Sequence, residues 1–198
     1  MAETKYGKYF INHDNEKWRW PKEMRPVMAR MDDNVAKGSY FYLVHWVLPS
    51  EETGFRSMAS SIKDTGKTEI WRTQYGKQAQ VVFDHPMAGH PPHIHKDAEL
   101  LFHIGTNPDD PMDLGAEIQM YMGPEMEVHT FNKTTVIWIP PNFIHSPWKP
   151  LKTWRPWIFI EVNQGPNHTE KSFRQLLPRE LREATPWAQM WPDEGYSR

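Results

Sequence analysis

The chain contains no cysteine, which excludes thiolate metal ligands, thiol nucleophiles and disulfide redox chemistry. That absence leaves the compartment open, because a chain without thiols tolerates either redox environment. An excess of one charge sign is also missing. There are 25 acidic and 23 basic residues, for a net charge of −2, and no basic stripe of the kind that follows a phosphate backbone is present. No nucleic-acid partner is therefore expected. Hydrophobic residues make up only 38%, and no apolar run approaches the ~18 residues of a membrane helix, so no membrane partner is expected either. The opening residues, Met1 to Tyr6, are polar and lack the apolar stretch of a signal peptide. A soluble, cytoplasmic protein is the default expectation.

What is present points to short segments. Eighteen prolines cut the chain often and disfavour long helices. Ten tryptophans suit a barrel interior, an oligomer interface or a pocket for a flat ligand, and composition does not choose among these. The 198 residues fit one domain that buries roughly 70% of its unfolded surface, so neither a disulfide nor a metal is needed merely to fold.

Residues 1–37 are mixed and charged and read as an irregular arm with short helical turns, packed on the rest. From Gly38 the texture becomes aromatic and β-branched, and residues 39–47 read as a strand. Residues 50–67 are polar and read as a loop or short helix. A strand pair is expected at 68–75 and 78–84 around Gly76-Lys77. Further strands are expected at 93–95, 99–104, 116–122, 127–131, 134–139 and 157–163. Short strands at such spacing argue for an all-β antiparallel sandwich or barrel over residues 38–163. Residues 164–198 read as a helical tail, with helix formers at 169–177 and 178–184, Pro178 where a first turn tolerates it, and Trp187, Met190 and Trp191 as apolar anchors.

The informative stretch runs from Pro91 through His93, His95, Glu99 and His103 to Gly105. Residues two apart on a strand share a face, so His93 and His95 project together. After a turn at 96–98, Glu99 can begin the neighbouring strand on the same face. About 40 residues later, Trp138-Ile-Pro-Pro-Asn-Phe-Ile-His145 supplies another strand end, a tight turn and a histidine. Neutral imidazoles with a carboxylate suit one divalent transition metal (Fe, Mn, Ni, Zn or Cu), and residue type does not separate these. Three His and one Glu leave positions open for small ligands, as catalytic rather than structural sites do.

On these residues the sequence resembles the cupin superfamily. Its first motif is matched by Gly89, His93, His95, Glu99 and Gly105, with the flanking glycines slightly shifted. Its second motif is matched by Pro140, Asn142 and His145, with Asn142 in place of the usual glycine. Asparagine is the next best residue at positive φ. Thr134 and Lys149 stand where the second motif has its outer glycine and asparagine. The resemblance covers roughly residues 38–163. It implies a jelly-roll barrel, or double-stranded β-helix, with the metal in its mouth, and often a homodimer, which the unpaired sheet edges and Trp-rich tail also favour.

Around the ligands, His103 shares the face of Glu99 and is a candidate acid/base group or a partner behind the ligands. Its alternative is a buried, hydrogen-bonded histidine. Arg72 would clamp a substrate carboxylate if inward and is a solvated charge if outward. Tyr121 and Trp138, with Phe102, Trp148 and Phe159, are candidates for lining a substrate pocket. His90 reads as a loop residue, and His13, His45, His85, His129 and His168 show no partner. The expected function is a mononuclear metal-dependent enzyme acting on a small organic molecule, with dioxygenase chemistry first. A redox-neutral lyase or decarboxylase is the alternative, and a non-enzymatic small-molecule binder the third reading.

Overall fold

The computed structural model describes residues 27–49, 85, 87, 90–184 and 192–196. The expected strands at 68–75 and 78–84, the loop at 50–67, Gly89, Arg72 and the anchors Trp187, Met190 and Trp191 lie outside the described residues.

Among the described residues, ten strands form two five-stranded antiparallel sheets. They are β1 (Val27–Met31), β2 (Phe41–Val47), β3 (His93–Ile94), β4 (Glu99–Gly105), β5 (Asp113–Met122), β6 (Glu127–Lys133), β7 (Thr135–Ile139), β8 (His145–Thr153), β9 (Trp157–Asn163) and β10 (Lys171–Ser172). One sheet has the order β1-β2-β9-β4-β7 and the other β10-β3-β8-β5-β6. Strands distant in sequence lie side by side in both, as in a jelly roll, and the fold is all-β; the described residues add a 3-10 turn (Arg174–Leu176) and a short helix, α1 (Arg179–Ala184). Among the described residues, no helix is long and apolar enough to cross a membrane.

Strand alternation builds the core. Leu101, Leu114, Ala116, Ile118, Met120, Ile139, Trp157, Phe159 and Val47 point between the sheets and pack as one cluster. At the end of β4, a methyl group on Gly105 would sit 2.1 Å from the Asp113 carbonyl oxygen, so only glycine lets β5 leave so close to β4.

Two local expectations are corrected, and one strand lies where none was expected. β8 carries Pro147 and Pro150, residues that disfavour a strand flanked on both sides. It nevertheless lies between β3 and β5. Met120 pairs with Trp148 and Met122 with His145. Three steps on β8 thus oppose two on β5, and Ser146 takes φ 75°. That bulge turns both His145 and Trp148 inward. β1 falls in the stretch read as an arm with helical turns, and it extends the first sheet through β2. In the tail, Lys171 and Ser172 pair with Ile94 and His93, because an open strand edge outweighs helix propensity there. A 3-10 turn follows at Arg174–Leu176, and α-helix begins at Arg179, where the Pro178 carbonyl accepts the Arg182 N–H at 3.0 Å.

Candidate metal centre

Each candidate ligand is delivered by a different piece of local geometry. His93 lies on β3 directly opposite His145 on β8. His95 follows two residues after His93, and Glu99 opens β4 facing Asn163 of β9. Asn142 stands at φ 60°, the left-handed conformation the motif requires, and donates its N–H to the His95 carbonyl at 2.8 Å. The turn before His145 is thereby tied to the His93–His95 segment. All four side chains are buried, with relative exposures of 2–3%.

Every imidazole is oriented from behind. Nδ1 of His93 donates to the Pro91 carbonyl at 2.7 Å, Nδ1 of His95 to the Thr169 carbonyl, and Nδ1 of His145 to the Phe143 carbonyl at 3.1 Å. This fixes the tautomer and turns each Nε2 toward the middle. Glu99 is aimed in the same way, its Oε1 accepting from Asn163 Nδ2 at 3.0 Å. Its carboxylate lies 3.0 Å from His145 Nε2 and 3.3 Å from His95 Nε2.

The donor atoms of His93, His95 and His145 lie within 4.8 Å of one another. Nε2 of His95, Nε2 of His145 and Oε2 of Glu99 are buried without a hydrogen bond. Each such atom costs roughly 1–3 kcal/mol if left so. A single cation in their midst satisfies all of them, and the donor chemistry suits a divalent transition metal. The residues fit such an ion, and this buried His/Glu group can hold one. Burial works to raise the Glu99 carboxyl, yet His95 and His145 hold it well below the ordinary carboxylate range. Burial, with the neighbouring imidazoles, keeps His93 neutral far down the pH scale.

His103 lies on the face of Glu99 but roughly 13 Å further along the strand. It is fully buried, and Trp148 Nε1 donates to its Nε2 at 2.8 Å. Phe131, Trp157 and Phe159 close around the ring. Burial brings its pKa down to about 4.

Two pocket candidates are misplaced by strand parity. Trp138 is 59% exposed, because Ile137 and Ile139 take the inward positions of β7 and leave Trp138 outside. Tyr121 is buried, but on the outer side of its sheet, since Ile118 and Met120 occupy the core face of β5. Phe102 faces outward by the same alternation, whereas Trp148 and Phe159 stack inside with centroids 4.7 Å apart.

Several residues near the site belong to neither motif. Asn163 and Glu161 hold inward positions at the end of β9, and polar residues at the inward positions of a strand are the clue that would have found them. Burial, together with the charge of Glu99, pushes the Glu161 carboxyl up. His168 donates toward Glu194 Oε2 at 3.0 Å and lies 3.9 Å from Glu161 Oε1. His90 lies 2.9 Å from the buried Glu170. His85 and His129 pair with Glu180 and Glu127.

The two sheets and the strands that carry the ligands define a double-stranded β-helix with a candidate metal centre inside it. No family model and no curated protein matches the chain. Similar solved structures are cupin-like and double-stranded β-helix proteins. One is an uncharacterized conserved protein with a double-stranded β-helix domain from Klebsiella pneumoniae, 12% identical over 85% of this chain and 96% of that one, with a TM-score of 0.38. A second is a cupin-like protein from Thermotoga maritima, 19% identical over 48% of this chain and 63% of that one, with a TM-score of 0.30. A third is oxalate decarboxylase from Bacillus subtilis, 12% identical over 84% of this chain but only 33% of that one, with a TM-score of 0.41.

Proposed function

We propose that the chain is a mononuclear metal-dependent enzyme in which His93, His95, Glu99 and His145 hold one divalent transition-metal ion. The observation that carries this reading is the direction of the donors. Three backbone carbonyls engage the Nδ1 groups and Asn163 engages one Glu99 oxygen, which leaves the converging atoms for an ion. When bound, that ion supplies Lewis acidity and open positions for a small organic substrate or dioxygen. The chain's own part is to orient the donors and to keep water out below them. Trp148, Trp157 and Phe159 form that dry floor. We read His103 as part of the floor, a neutral acceptor for Trp148.

Oxygen-dependent, dioxygenase-type chemistry is the first reading, because a His/carboxylate set with open positions suits Fe(II). A redox-neutral lyase or decarboxylase is the second, and one observation favours it. Glu161 faces inward with its carboxyl pushed up by burial and by Glu99, so it can hold a proton for delivery to a substrate at higher pH than an ordinary carboxyl.

The test is metal analysis of protein purified without added metals. It is followed by turnover of small enols, phenols and organic acids in air and under strict anoxia with Fe(II) or Mn(II) supplied. About one ion per chain is expected, absent from His95→Ala although the β-rich circular dichroism persists. Turnover that stops without oxygen selects the dioxygenase, and turnover that continues selects the lyase. A metal-free wild type that takes up no supplied ion, or His95→Ala with unchanged turnover, ends the proposal. Metal binding without any turnover leaves a small-molecule binder.

A further inference from the structure

The ligands of the candidate centre are almost sealed, with His95, Glu99 and His145 side chains only 2–4% exposed. An ion reaching them must shed its hydration shell on the way. A second set of donors lies beside the first. His90, His93 and Glu170 each offer one ligand atom, and these atoms lie within 4.8 Å of one another. His90 is the more open member, its side chain 33% exposed, while Glu170 is buried at 5% with its Oε2 2.9 Å from His90 Nε2. The His90 and His93 rings are 4.4 Å apart.

His93 belongs to both sets. Its Nδ1 is engaged by the Pro91 carbonyl, so Nε2 is its donor toward either. One nitrogen lone pair serves one ion at a time, and the two positions are therefore alternatives rather than a dinuclear pair. Resting on the metal site proposed above, we infer that His90, Glu170 and His93 form a loading position, where a divalent cation is held before it passes to the buried centre. His93 stays bound while His90 and Glu170 are exchanged for His95, Glu99 and His145. The transfer is a ligand exchange in which no electron moves. Glu170 supplies the carboxylate that draws a cation to this rim, its Oε2 against His90 Nε2, and Glu194 lies beside it through a backbone pair.

The test follows Zn2+ uptake by the metal-free full chain, using a fluorescent zinc indicator in stopped flow. Wild type is expected to load with a rate that saturates as Zn2+ rises, as a two-step route requires. His90→Asn and Glu170→Gln are expected to slow loading at least about tenfold, while the affinity at equilibrium stays within about threefold of wild type. A second measurement removes the main centre. With His95→Asn, Glu99→Gln and His145→Asn combined, the chain should still bind about one Zn2+, more weakly, and lose it when His90→Asn and Glu170→Gln are added. Unchanged loading rates in the single variants overturn the loading position. So does Zn2+ retained by the fivefold variant. A wild type that binds no Zn2+ overturns the main centre instead, which keeps the two failures apart.

Discussion

Asn163 Nδ2 donates to Glu99 Oε1 at 3.0 Å across the β4–β9 pair, and both side chains are almost wholly buried. The bond selects one carboxylate oxygen for the protein and leaves the other facing His145. Groups that orient a ligand from behind typically contribute 10–100-fold to metal affinity. Asn163→Ala is therefore expected to weaken Zn2+ or Co2+ binding by about that factor, and Asn163→Asp to disturb it through a second buried acid. Competition against a chelator of known affinity measures both. Affinity equal to wild type in Asn163→Ala would sink this assignment.

Trp148 holds His103 in the same manner deeper in the barrel. Trp148→Phe keeps an aromatic ring but strands the buried Nε2 acceptor and leaves a small void. A loss of roughly 2–4 kcal/mol is expected. Urea unfolding gives the number, and a double-mutant cycle with His103→Leu isolates the hydrogen bond. Strict additivity in that cycle would mean that the two side chains do not interact.

The same histidine sets a pH dependence. Burial brings the His103 pKa down to about 4 in the folded chain, against an ordinary value of about 6.5. Between these values the unfolded chain binds the extra proton and the folded chain does not. Stability from this group is therefore fully present above pH ~6.5 and falls as the pH drops toward ~4, by roughly 3 kcal/mol in all. Unfolding free energies measured from pH 7 to pH 4 should show this decline in wild type and a shallower one in His103→Leu. Equal slopes would reject the assignment.

Asn142 tests the turn that presents His145. Its φ of 60° suits glycine and tolerates asparagine, but costs an alanine about 1 kcal/mol or more. Asn142→Gly should fold and bind metal like wild type, whereas Asn142→Ala should lose both stability and affinity. Thermal melts of the two variants, with and without Zn2+, decide it. If alanine serves as well as glycine, the turn does not govern the site.

Much of the site was legible because its geometry is local. His93, His95 and Glu99 follow from strand parity and one turn, and Asn142 and His145 from a second turn. Parity read more strictly would also have turned Trp138 and Tyr121 away from the interior, given Ile137, Ile139 and Met120 beside them. β8 was hidden by its two prolines, whose cost is absorbed by a bulge that no local pattern announces. Asn163 and Thr169 were hidden for another reason. Each acts on a ligand in a strand far away in sequence, and only pairing of the sheets brings them together. The segment at 171–172 reads as helix by composition but is recruited by the free edge of β3.

Because Thr169 holds His95 from behind and Ser172 pairs with His93, the last strand and the innermost ligands share their fastenings. Drawing a cation out of the barrel should loosen the stretch at 169–172, and pulling that stretch away should free the cation. Amide exchange around residues 169–172 would then report occupancy from outside, as a seal reports the state of the vessel it closes.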